Sequence, residues 1–545
     1  MRMTMDGLSR GKHVSGWTAR LVVSLSFLAA AISAQAQPRA DSGAVPLVVH
    51  DRQAGPTISR DIFGQFAEHL GTGIYGGVWV GEDSAIPNVR GIRTDVVSAL
   101  RALRVPNVRW PGGCFADEYH WRDGVGPRAQ RPVTLNPNWG GVTESNQFGT
   151  HEFFDFVEQI GSEAFVSVNV ATGSPQEAAS WLEYMTATQP TNLVRERTAN
   201  GRERPYNIRF LGLGNETWGC GGAMTAAHYV EEMKSYARFA RNFNPAQTGP
   251  NAMRRIAVGP DGQSTEYTEA VMAAWQSKVW SWDIEGLSLH FYTVGGWPPH
   301  YNSVQFGERE YAALVADTLT LDRLINTHVQ IMDRHDPAKR VGLFVDEWGV
   351  WLAPLPDTNP GFLAQQNTIR DAVIAALNLN IFARHADRVR GANIAQMVNV
   401  LQAMVLTDGP RMVLTPTCHV FHMYVPFQNA TFLPLELNAG TFTQGEVTLP
   451  RLDAIAARAA DGALWLAVTN LDPQRSAQVD VDVDGMHVAS ASGQVLTAPR
   501  VDTHNTFDAA ETVRPRETSV QARDGVLRLD LPSKSVTVVR LNGGP

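Results

Sequence analysis

What most limits the fold is an alternation of short apolar runs with amphipathic stretches, sustained from about residue 60 to 420. Runs at 61–68, 105–110, 164–171, 207–215, 255–260, 284–291, 341–347 and 391–398 read as strands. Helix-like stretches separate them, at 93–104, 149–160, 176–186, 225–241, 265–279, 309–334 and 366–385. In the first of these Val96, Val97, Leu100 and Leu103 share one helical face, the spacing that buries one side of a helix. Eight strands alternating with helices predict an α/β fold, a (β/α)8 TIM barrel with loop insertions over 59–424. A doubly wound parallel sheet is the competing arrangement.

After about 425 the rhythm changes. Segments 447–451, 463–470, 477–483, 525–531 and 535–541 are short, rich in β-formers and separated by Gly, Asp and Pro. Alternation is plain in Val479-Asp480-Val481-Asp482-Val483. This predicts a C-terminal antiparallel β-sandwich, jelly-roll-like, over 425–545. The segment 37–58, ahead of the first barrel strand, is expected to contribute a strand to it.

Residues 1–36 read as a signal peptide. Arg2, Arg10, Lys12 and Arg20 precede the twelve-residue apolar run Leu21–Ile32, and Ala34-Gln35-Ala36 supplies a small-x-small cleavage site. A spanning helix needs ~20 apolar residues, so the run is too short for an anchor. The segment carries four positive charges and one negative, and its removal takes the net charge from −8 to near −11. The expected location is secreted or periplasmic, with no membrane association after cleavage. An acidic chain has no electrostatic footprint for nucleic acid. With 44% apolar and 18% charged residues, disorder and collagen are excluded. Three cysteines are too few for a disulfide framework, and none has zinc-ligand spacing. His151-Glu152-Phe153-Phe154 lacks the second histidine of a zinc-protease motif, the position being Asp155. The sequence has no phosphate-loop glycine pattern, no dinucleotide fingerprint opening a helix and no GxSxG elbow at a strand-to-helix turn.

In a barrel, functional groups gather at the C-terminal ends of the strands. Here those ends carry Glu68 and His69, Arg109 and Trp110, Asn215 and Glu216, His290 and Tyr292, Asp346 and Glu347, then Gln396 and Asn399. Glu216 and Glu347 each close an apolar strand. Either one alone reads as a structural ion pair. Together, on strands four and seven, they fall on opposing sides of the mouth and can face one another across a substrate. Glycoside hydrolysis needs such a pair, one carboxylic acid for the leaving oxygen and one carboxylate for the sugar carbon.

FAEHL at 66–70, RWPGGCFADEYHWRDGVGP at 109–127, LGNE at 213–216, SLHFYT at 288–293 and DEWGVW at 346–351 resemble the motif set of glycoside hydrolase family 51. ANIAQMVNVLQAMVLTDGPRMVLTPTCHVFHMY resembles that family's eighth strand and barrel exit, and LTAPRVDTHNTFDAAETV its sandwich domain. The family consists mainly of α-L-arabinofuranosidases. The resemblance implies a retaining double displacement without metal or other cofactor, acting on an arabinose-containing polysaccharide or oligosaccharide. It makes Glu216 the acid/base and Glu347 the nucleophile. Arg109 and Tyr292 would keep Glu347 ionised, and His290 would orient or tune Glu216. Asn215 would meet the sugar 2-hydroxyl, Glu68 the furanose hydroxyls, and Gln396 the ring or the nucleophile region. Trp351 and Trp110 are candidate platforms for sugar C–H faces, packing being the stronger reading for Trp110. Strand alternation turns Asp346 away from the mouth.

Two departures stand out. Cys114 occupies the position where the commonest family pattern has a sugar-binding Asn, and Cys220 follows the acid by four residues in an unusual Gly-rich loop. Both loops border the expected pocket and the expected export permits oxidation, so Cys114 and Cys220 are candidates for a disulfide beside the subsite, the alternative being two independent small buried residues. The signal sequence is the second departure, since many relatives lack one. The family often forms multimers, which leaves room for a homo-oligomer. The leading function is release of terminal non-reducing α-L-arabinofuranosyl groups. An endo-acting β-glucanase or β-xylosidase of the same clan is the alternative within hydrolases. A non-catalytic carbohydrate-binding protein is the alternative outside them, and it would have lost one of the two carboxylates.

Overall fold

The computed structural model describes residues 43–543; the expected leader at 1–36 lies outside them. Eight parallel strands, Gly64–Phe66, Asn107–Trp110, Glu163–Val168, Ile208–Leu213, Arg254–Ala257, Gly286–Thr293, Gly342–Val350 and Val389–Ile394, each pair with the next in chain order. The eighth returns to the first, with Asn393 opposite Gly64, and closes a barrel. Closure rules out the doubly wound sheet, which keeps two open edges. These strands read as nearly unbroken apolar runs because helices cover their outer face while side chains fill the interior. Phe165, Phe210, Ile256 and Phe344 form that inner plug. Gly286 and Gly391 make room for it: a Cβ on either would come within 2.7 Å of the Phe344 ring.

The helices begin where the sequence offers caps. Ser174 accepts from the Glu177 amide, Thr225 from that of His228, and Thr368 forms a capping box with Asp371. Asn192–Ala199 and Pro416–Met423 are helices that the periodicity does not predict. The first is mostly polar, and the second is short and buried on most sides with Thr417 and two histidines among its apolar residues, so neither shows a stripe. Ile369–Arg384 is almost entirely buried because it lies between barrel and sandwich. There Asn380 donates to Asp453 at 2.7 Å and receives the Tyr424 hydroxyl at 2.9 Å.

The sandwich consists of a six-stranded and a four-stranded sheet. Leu47, Leu466, Val468, Val479, Leu529 and Val539 fill the space between them from alternate strand positions. Val45–Val49 joins the smaller sheet, antiparallel to Leu435–Leu437 but parallel to Ala477–Val483. The expected all-antiparallel pairing fails there because this strand arrives from the far end of the chain, with no hairpin to set its direction. Val447–Pro450 also departs from expectation, pairing with Thr441–Gln444 in a hairpin outside both sheets. Among the described residues no helix is long and apolar enough to cross a membrane.

Candidate active site

At the C-terminal rim the strand ends converge on two carboxylates. The fourth strand turns out of the barrel through Gly214 at φ +96° and Glu216 at φ +39°. A left-handed φ is uncommon outside glycine, and here it belongs to the residue that carries the first carboxylate. The seventh strand supplies the second, Glu347. A Glu216 oxygen, a His290 ring nitrogen and a Glu347 oxygen all lie within 4.8 Å of one another. Retaining glycosidases hold their carboxyl groups ~5–5.5 Å apart and inverting ones ~6.5–9.5 Å apart, and so close a nearest approach accords with the retaining arrangement.

The two carboxylates have unlike partners. Glu347 receives Arg109 Nη1 at 2.9 Å and the Tyr292 hydroxyl at 2.7 Å. Arg109 also donates to Asn215 Oδ1 at 2.6 Å and stacks over Phe66, so one guanidinium ties strands one, two, four and seven together. Glu216 Oε1 lies 2.8 Å from His290 Nδ1. Burial raises the Glu216 pKa and the Glu347 charge adds to the effect, with His290 opposing both. For His290, burial disfavours the charged ring but is outweighed by Glu347 and by hydrogen bonds to Asp346 and Glu216, pushing it up to about 10.

Asp346 does not point away from the mouth. Its Oδ1 lies 3.4 Å from His290 Nε2 and accepts from Ser288, and its Oδ2 lies 3.5 Å from Arg109 Nε. Between the pairs Ser288–Phe344 and His290–Glu347 the seventh strand holds one residue more than the sixth. That bulge breaks the alternation and lets Asp346 and Glu347 serve one cluster. Although buried, Asp346 is held below the usual carboxylate range by Arg109, His290 and Ser288.

Glu68 is buried against the same pair. It accepts from the Phe115 amide at 3.1 Å, Trp139 Nε1 at 2.8 Å and Gln396 Nε2 at 3.0 Å. Burial and the Glu347 charge nevertheless push it up to about 7. Tyr292 meets the half-buried Trp351 edge-on at 5.0 Å, and Trp297 adds a further ring. A cleft of about 460 Å³ runs from Glu216 and His290 past Trp218 and Trp297. Trp110 is a packing residue, stacked on Phe153 at 4.7 Å and donating to His69. Cys114 and Cys220 are joined by a disulfide, with Cα atoms 5.5 Å apart, and Cys220 Sγ lies 3.6 Å from Glu216 Oε2.

Sequence reasoning missed Trp139 and Asp117. Trp139 lies in an insertion after the second strand, where only its neighbourhood to a glycine pair marks a turn. Asp117 is fully buried beneath the loop that carries Glu216, takes the Val170 amide at 3.3 Å, and is pushed up to about 8 by burial. Its place in the RWPGGCFADEYHW run was the available signal. Glu216, His290 and Glu347 are also disposed so that one cation could bridge them.

A closed (β/α)8 barrel with two unlike carboxylates in close approach on strands four and seven defines a glycoside hydrolase. Family models for the α-L-arabinofuranosidase 1 domain and the α-L-arabinofuranosidase C-terminal domain match residues 99–293 and 346–535. The chain is 41% identical over 526 residues to an intracellular exo-α-L-arabinofuranosidase of Bacteroides ovatus, covering 96% of this chain and 99% of that one. It superposes on the GH51 arabinofuranosidase of Xanthomonas axonopodis pv. citri with a TM-score of 0.88 at 49% identity, covering 91% of this chain and all of that one. For the Thermotoga maritima α-L-arabinofuranosidase in complex with arabinose the values are 0.77 and 30%, over 92% of this chain and all of that one. The chain therefore belongs to glycoside hydrolase family 51, the α-L-arabinofuranosidases.

The expectation of a secreted or periplasmic location is corrected by these comparisons, because a relative matched over nearly the whole chain is named intracellular. The export reading rested on a twelve-residue apolar run behind a few basic residues, a short pattern carrying far less information than a match along 526 residues.

Proposed function

We propose that this chain releases terminal non-reducing α-L-arabinofuranosyl groups from arabinose-containing hemicellulose or oligosaccharides by double displacement, using a catalytic barrel at 59–424 and a sandwich at 425–545 completed by the segment before the barrel. The observation that carries the proposal is the pair Glu216 and Glu347, whose oxygens lie within 4.8 Å and whose partners differ in kind. Glu216, with its raised pKa, protonates the leaving oxygen while Glu347 attacks the anomeric carbon, forming a glycosyl-enzyme ester with inversion. Glu216, now ionised, takes a proton from the incoming water. Water attack on the ester inverts the centre again, giving net retention.

Arg109 and Tyr292 hold the nucleophile in place through hydrogen bonds, while Asn215, Glu68 and Gln396 offer groups to the sugar hydroxyls. Exo action is supported by how closely the pair is walled in, since Glu68, Arg109, His290 and Gln396 are all buried. The cleft beside Glu216, with Trp218, Trp297 and Trp351 along it, would take the leaving group. Turnover of p-nitrophenyl α-L-arabinofuranoside, compared with the β-xyloside and β-glucoside, tests the substrate. The arabinofuranoside is expected to have the highest kcat/KM, and a preference for either β-glycoside would overturn it.

A further inference from the structure

The Cys114–Cys220 disulfide sits against the acid rather than elsewhere in the fold. Cys114 opens the short turn after the second barrel strand, and the exposed Cys220 lies in the loop after the fourth. The two sulfurs and one Glu216 oxygen lie within 4.8 Å of one another. The oxygen nearest Cys220 is Oε2, at 3.6 Å, whereas His290 holds Oε1. A dithiol reductant would give two electrons and two protons to the S–S bond, leaving two thiols and becoming a disulfide itself. Freed thiol sulfurs settle at van der Waals separation. A tetrahedral ion with Zn–S near ~2.3 Å and Zn–O near ~2.0–2.2 Å needs its ligand atoms about 3.3–3.8 Å apart. The existing distance from sulfur to carboxylate oxygen already falls in that range. Exposure of Cys220 leaves a fourth position to water.

We propose that the reduced enzyme carries an inhibitory site for a thiophilic divalent cation, Zn²⁺ being the type, formed by Cys114, Cys220 and Glu216. Binding displaces the two thiol protons and any proton on Glu216, so an occupied site has no acid for the leaving group. The inhibitory consequence rests on the proposed role of Glu216; metal binding does not. The set Glu216, His290 and Glu347 contains no sulfur, so reduction leaves its ligand atoms unchanged in kind and redox dependence distinguishes the two.

The test compares protein kept under reductant from lysis and then desalted anaerobically with air-exposed protein. Thiol titration after denaturation should find three thiols in the first and one, Cys418, in the second. One equivalent of Co²⁺ should produce a thiolate-to-cobalt charge-transfer absorption only in the reduced sample, and Zn²⁺ should displace it. A small excess of Zn²⁺ should lower arabinofuranoside turnover at least tenfold in the reduced enzyme and less than twofold in the oxidised one, with recovery on chelation. Cys220→Ser should weaken reduced-state binding at least tenfold. Three thiols in air-exposed protein, no charge-transfer band in the three-thiol sample, or equal Zn²⁺ affinity in both states would overturn the proposal. A band with undiminished turnover would remove Glu216 from the ligand set and overturn the inhibition. Loss of the arabinofuranosidase reading itself would show as absent turnover before any metal is added, with the cobalt band still deciding the site.

Discussion

Glu68→Gln isolates the energetic consequence of burying a third carboxyl beside Glu216 and Glu347. The amide keeps an acceptor for the Phe115 amide and Trp139, and Gln396 can turn its own amide to face the new donor. In the folded protein Glu68 is pushed up from an ordinary value of 4.5 to about 7, burial being the main cause and the Glu347 charge the second. A carboxyl raised by folding keeps its proton in the native state after the unfolded chain has released it. Its penalty is therefore absent at low pH, grows as pH rises from the unfolded to the folded value, and is complete above the folded one. At 1.36 kcal/mol per unit, the full penalty is about 3 kcal/mol. Urea unfolding of wild type and variant should give a difference of about 1 kcal/mol at pH 5 and about 3 kcal/mol at pH 8, the variant being the more stable. Substrate binding should weaken at the same time, because a charged acceptor for sugar hydroxyls is lost. A stability difference that stays the same from pH 5 to pH 8, or a variant less stable at pH 8, would refute the reasoning.

Glu216→Ala should reduce turnover of substrates with poor leaving groups by ~10²–10⁴, the usual yield of general acid catalysis. With an activated aryl arabinofuranoside, azide should restore turnover and yield the α-arabinosyl azide, identified by NMR. His290→Gln removes a cation that holds the Glu216 pKa down. Activity is present below that pKa and lost above it, so the alkaline limb of kcat/KM should move to higher pH whatever happens to the maximum; an unmoved or lowered limb would contradict the assigned interaction.

The barrel is legible because its strands and helices carry their burial in the sequence: every strand drawn from an apolar run overlaps an observed one. Less legible were elements with no stripe, such as Pro416–Met423, and pairings set by distant chain, such as Val45–Val49 beside Ala477–Val483. At the rim, Glu216, Glu347, Arg109 and Tyr292 stand out in the sequence because those polar residues interrupt apolar runs, and the fold brings them together. Asp346 was misread because alternation assumes an unbroken ladder, and one bulged residue in the seventh strand reverses the answer. Trp139 and Asp117 sit on segments that follow the second barrel strand, and loop paths follow from packing against other loops, which no local pattern records. Cys114 and Cys220, 106 positions apart, were paired from their flanking loops and not from spacing.

The proposed mechanism makes two inversions at one carbon, with Glu347 bonded to the sugar between them. Proton NMR of the first-formed product from p-nitrophenyl α-L-arabinofuranoside, recorded before mutarotation, should show the α-anomer of arabinofuranose. Initial appearance of the β-anomer would mean a single displacement by water and would contradict the roles given to Glu216 and Glu347.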